Sequence, residues 1–162
     1  MIKNIIGKRR HDYNLNISDW LFISGALFVF VIISIWTITK SSIWFDEAFG
    51  AYLIQYNFVD IARYTATDVH PPLFYWLLKL WSMLFGNSEL ALRSMSVLFG
   101  GVAIVFGYLL TNKLFSKKAA RISLIFMVLS PMLIRYSQEA RMYTLVTAIA
   151  LAATYVLTCA IN

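Results

Sequence analysis

The chain has 162 residues, of which 60% are apolar, 16% aromatic and only 14% charged, with a net charge of +6. Its mean hydropathy is +0.69. A soluble domain usually carries about 25% charged residues, and here the apolar residues stand in long blocks rather than at helix or strand period. A disordered chain is ruled out by the apolar surface available to bury, and a disulfide scaffold by the single cysteine, Cys159. The fold class expected is all-α, a polytopic membrane helix bundle. The basic balance does not point to nucleic acid. Lys3, Lys8, Arg9, Arg10 and then Lys113, Lys117, Lys118, Arg121 sit in two short stretches beside apolar blocks, as the positive-inside rule expects.

Residues 1–19 read as a basic cytoplasmic tail. The block from Trp20 to Ile38 carries no charge. As a helix it reaches about 28 Å, close to the hydrocarbon thickness. It is too long for a signal-peptide core and no small-residue cleavage site follows, so an uncleaved signal anchor is expected. The next block, Pro71–Phe85, would reach only about 22 Å, and it carries Lys79 at its middle. A lysine at the bilayer centre costs about 2.5–3.5 kcal/mol. This segment is therefore expected to lie on the membrane surface as an interfacial helix.

Four spans follow, at about 20–38, 93–112, 119–134 and 142–161, with 40–92 as a first outer loop. The loop 113–121 has four basic residues and no acid, which places it inside. Residues 135–141 are then outside. Pro131 should kink or end the third span. Ala103 and Gly107, like Ala148 and Ala152, are four apart, a small-residue face that admits a close helix. These faces predict partner helices beyond the four spans.

Three clusters could carry chemistry. Asp46 and Glu47 follow the first span; two carboxylates beside lipid are costly to desolvate. They read either as a solvated turn or as a general base or metal ligand. Asp68-Val69-His70-Pro71-Pro72 presents His70 on a stiff backbone, or is simply a helix start. In the segment 135–143, Arg135, Glu139 and Tyr143 recur every four residues, so a helical turn would stack them. The four-span topology brings all three clusters to the outer side. A lipid-linked phosphosugar suits such a site: Arg93 or Arg141 could hold its phosphate, while Asp46 takes a proton from the attacking hydroxyl.

The runs WFDEAFGAYLIQ, DVHPPLFYWLLKLW, FGNSELALRSMSVLFG and LSPMLIRYSQEARMYTL, in this order, resemble the N-terminal part of the GT-C membrane glycosyltransferases. The likeness is to the family 39-type, dolichyl-phosphate-mannose protein mannosyltransferase-like group, and covers about residues 20–160. It implies a cytoplasmic N-terminus in a bacterial inner membrane, a polyprenyl-phosphate sugar donor, and inverting transfer on the outer face. On the matching motifs it implies Asp46, Glu47 and Glu139 as catalytic acids, with Asp46 the base. It further implies His70, Arg93, Arg141 and Tyr143 as substrate-binding. No cofactor is required, although a divalent metal on Asp46 and Glu139 is open. Members of the group are several hundred residues long, so this chain is expected to be an N-terminal portion. It would be inactive without further helices or a partner subunit. The competing expectation is a small four-span protein without enzymatic activity, such as a lipid-sugar flippase component or assembly subunit.

Overall fold

The computed structural model describes residues 15–67 and 70–161. The basic residues at 3–10 and Asp68 lie outside them. The described residues form eight helices and no strand: α1 Ile17–Thr37, α2 Phe45–Leu53, α3 Phe58–Ala66, α4 Leu73–Phe85, α5 Glu89–Leu114, α6 Lys117–Val128, α7 Pro131–Ser137 and α8 Tyr143–Ile161. This is the all-α membrane bundle the composition demands.

Helices α1, α5 and α8 are long and apolar enough to cross a membrane. The third expected span is broken: α6 and α7 meet at a 56° bend. The cause is local. Leu129 ends α6, and the Ser130 hydroxyl caps α7 by accepting from Leu133 N–H, with Pro131 in the first turn. The bent pair still runs the full length of α1. At its start, Lys117 and Arg121 reach Asp19, in the first turn of α1. At its end, Gln138 donates to the Ser34 carbonyl and bonds the Thr37 hydroxyl, in the last turn of α1. Helix α5 runs antiparallel to α1, with Arg93 at the α1 C-terminus and Tyr108 at Asp19. The four rods therefore alternate in direction.

Helix α4 is a shorter apolar helix of the bundle: its 13 residues reach about 20 Å, less than the roughly 30 Å of a hydrocarbon core. Phe74, Tyr75 and Leu78 bury against Leu53, Ile61 and Met95. Lys79, the charge that argued against a crossing, donates to the Ile54 carbonyl at the end of α2 at 2.7 Å. Trp76 and Trp81 donate to the Phe58 and Ala91 carbonyls. Three polar ties thus fasten α4 to α2, to the start of α3 and to α5. All of α2–α4 gathers at the end of the bundle away from Asp19.

Within the chain the Ala103–Gly107 face and Ala148 are already packed, while Ala152 is half-buried. A methyl on Gly100 would lie 2.5 Å from Ser137 Oγ and 2.8 Å from Phe30 Cζ; at Gly107 it would meet Met127 sulfur at 2.5 Å. Ala103 and Ala148 are also buried within the chain. Gly25, by contrast, has nothing within 4 Å. Gly100→Ala should destabilise by about 1–3 kcal/mol through overpacking, whereas Gly25→Ala should be neutral or stabilising. Thermal unfolding of the two variants in one detergent compares them.

Asp19, read above as the last residue of a tail, is instead the buried anchor of the far end. Its carboxylate accepts from Arg121 at 2.8 Å, Lys117 at 3.0 Å, Asn16 N–H at 3.0 Å and the Tyr108 hydroxyl at 3.3 Å. Asp19→Leu strands the fully buried Tyr108 hydroxyl, at a cost of about 1–3 kcal/mol. A lowered unfolding midpoint, rescued in part by Tyr108→Phe, is the expected result.

Candidate active site

Asp46 and Glu47 fall in the first turn of α2, where the helix dipole favours acids. Successive residues of a helix point about 100° apart, and the two acids take opposite environments. Glu47 turns inward and is 3% exposed. Arg93 grips it with two parallel bonds, Nε at 2.8 Å and Nη2 at 2.6 Å, and the Ala140 N–H adds a third at 2.7 Å. Burial alone would raise the Glu47 carboxyl, but Arg93 and the Ala140 N–H outweigh it and hold the group below its ordinary value. It is a carboxylate at neutral pH.

Arg93 has no donor to spare. Besides Glu47 it serves Glu89, the Ile38 carbonyl at 2.6 Å, the Ser41 carbonyl at 2.9 Å and the Ser42 carbonyl at 3.3 Å. Its side chain and that of Glu47 are each 2% exposed. Both residues line the larger cavity, but their polar atoms are already committed to each other and to the neighbouring carbonyls. Together they fix the end of α1, the start of α2, the start of α5 and the second loop at one point.

Asp46 turns the other way. Its side chain is 34% exposed and pairs with Arg141 Nη2 at 3.1 Å. With Arg141, His70, Phe45, Phe49 and Tyr64 it lines a cavity of about 440 Å³. Glu139 and Tyr143 line a second, larger cavity of about 700 Å³, together with Glu47, Arg93, Ser41, Ser42, Arg135 and Tyr136. Glu139 meets Arg135 at 3.5 Å, and the Arg135 side chain is 80% exposed. The seven expected residues thus collect at one end of the bundle but divide between two cavities. Asp46, His70 and Arg141 line one, and Glu47, Arg93, Glu139 and Tyr143 the other. Glu47 and Arg93 also form the clamp between α2 and α5.

The sequence reading of the site missed three contributors. Glu89 was legible, because it stands four residues before Arg93 on the same helix. Arg135 was read only as the partner of Glu139. Gln138, which ties the second loop to α1, has no signal in the sequence. Among the described residues no three of His, Cys, Asp and Glu gather as a metal set. Asp46 and Glu139 open on different cavities and do not share such a set.

Alternating apolar rods, with acids, arginines and aromatic cavities collected at one end beside short loop helices, describe a polytopic membrane helix bundle. Residues 69–162 match the family model of the dolichyl-phosphate-mannose-protein mannosyltransferases, and the chain belongs to this family. The match takes in His70, Arg93, Arg135, Glu139, Arg141 and Tyr143, while Asp46 and Glu47 precede it. No curated protein and no solved structure matches the chain.

Proposed function

We propose that this protein transfers a sugar from a polyprenyl-phosphate donor to an acceptor hydroxyl at the outer face of a bacterial cytoplasmic membrane, with inversion at the sugar carbon. The observation that carries the reading is Asp46: a part-exposed carboxylate at the mouth of a cavity, on a helix turn immobilised by the buried Glu47–Arg93 pair. In the step proposed, the acceptor oxygen bonds to the anomeric carbon as Asp46 takes its proton. The bond from that carbon to the phosphate oxygen breaks on the opposite face, and the electron pair leaves with the phosphate. Arg135, exposed at the rim of the larger cavity, is the cation available to receive that charge. His70 and Tyr143 line the two cavities as substrate-binding residues.

Orientation follows from charge density. Lys113, Lys117, Lys118 and Arg121 stand at the Asp19 end, which supports a cytoplasmic Asp19 end and an outer site. Lipid covers the exposed apolar sides of α1 and α8, where Phe28, Trp36, Val156 and Leu157 point outward. Further helices of the same enzyme, or a partner subunit, complete the walls of the cavities. The test uses membranes of the cell that makes the protein, so that any such parts are present. Labelled sugar should pass from a polyprenyl-phosphate donor only when Asp46 is intact. Transfer that survives Asp46→Asn would return the protein to the non-enzymatic, flippase-like class.

A further inference from the structure

We propose that the groove between α1 and α6, at the Asp19 end of the bundle, holds one diacyl phospholipid with an anionic headgroup more firmly than the surrounding bilayer lipid. The proposal does not depend on the transferase reading. Asp46 and the two cavities described above lie at or beyond the other end of α1, so this lipid is not the donor of the proposed transfer. On α1, Leu21, Gly25 and Val29 stand every four residues, and on α6 Ile125 and Leu129 do the same. Residues four apart share a helix face. Two apolar stripes therefore form the walls of a cavity of about 380 Å³, and no polar residue lines it. At Gly25 it is open, since a methyl there would have nothing within 4 Å. Leu21, Ile125 and Leu129 are exposed. Helix α1 is long and apolar enough to cross a membrane, and an open apolar groove along such a helix takes hydrocarbon.

Charge selects the headgroup. Arg121 stands one turn before Ile125 on the same face of α6. Its guanidinium lies 5.7 Å from the ring centre of Phe22, which lines the groove. The cation is thus held at the mouth. The carboxylate it meets, Asp19, is 1% exposed, whereas the side chains of Lys117 and Arg121 are 33% and 44% exposed. Lys118 is exposed as well. Asp19 is the one acid at this end among the described residues. The negative charge of the cluster is therefore buried and its surplus of positive charge faces outward, where a phosphate complements it. A protein helix laid in the groove would cover the exposed part of Arg121 and have to supply an acid for it. An anionic phospholipid brings the chain and the phosphate in one molecule.

The experiment is photo-crosslinking of the full chain in nanodiscs of phosphatidylcholine. Two probes carry a diazirine in mid-chain, one a phosphatidylglycerol and the other a phosphatidylcholine. The phosphatidylglycerol probe should label peptides containing 21–29 and 125–129 several-fold more than the phosphatidylcholine probe, and diazirine-free phosphatidylglycerol should compete it away. Gly25→Leu fills the groove and leaves every charge in place; it should cut that labelling several-fold. Arg121→Gln should lower it to the level of the phosphatidylcholine probe. Equal labelling by the two probes overturns the proposal, as does phosphatidylglycerol labelling that either variant leaves unchanged. Labelling found in nanodiscs but absent in membranes of the cell that makes the protein assigns the groove to a protein helix and overturns it equally. Should a variant misfold, the comparison of the two probes on the unsubstituted chain still decides.

Discussion

Asp46→Asn should lower sugar transfer by about 10²–10⁴-fold, the range that a positioned general base contributes, while the unfolding midpoint hardly moves. The amide keeps the size of the side chain but cannot take a proton. Its neighbour Arg141 loses one charged partner yet retains the aromatic face of Tyr143, 5.9 Å from its ring centre. Such a separation of activity from stability is what a merely structural acid would not show. The two quantities are measured side by side, as initial transfer rates in membranes and thermal unfolding in detergent. A variant that lost both together would move Asp46 into the same structural role as Glu47.

Arg93→Met should have the opposite profile and destabilise the protein by about 3–5 kcal/mol, the cost of breaking a buried pair from one side. The variant leaves the Glu47 carboxylate buried without its cation and frees the carbonyls of Ile38 and Ser41. Its pH dependence should invert. In the native protein the carboxyl of Glu47 lies below its ordinary value of 4.5. The stability it contributes is therefore complete above that value and is lost as pH falls through the depressed native one. Without the arginine, burial is opposed only by backbone donors and pushes the group up. The variant should then gain stability as pH falls from 8 to 5. Unfolding midpoints across that interval test the sign. Adding Glu47→Leu to Arg93→Met should recover part of the loss, because two apolar side chains replace a pair better than one does.

Much of the fold was legible because membrane spans announce themselves by length. The ends of α1, α5 and α8 lie within a few residues of the apolar blocks, displaced outward where Ser88 caps α5. Pro131 marked the break in the third span, and the short apolar block carrying Lys79 became a helix of its own, α4. What stayed hidden were pairings between distant residues. No pattern within the first span says that Asp19 will meet Arg121, 102 positions later. The same holds for Glu47 and Arg93, 46 apart. Residue types placed these side chains near the ends of the apolar blocks. Only the three-dimensional arrangement told an occupied arginine from an available one.

The Asp-Glu dipeptide of α2 looks, in a string of letters, like one feature written twice. Wound into a helix turn it becomes a buried clamp and a part-exposed carboxylate. The longer acid reaches across to lock the joint, and the shorter one stays at the surface of a chamber. Reversing their order would leave composition, charge and helix propensity almost untouched. It would also set the short side chain one methylene away from the guanidinium it must grip, and swing the long one into the chamber beside Arg141.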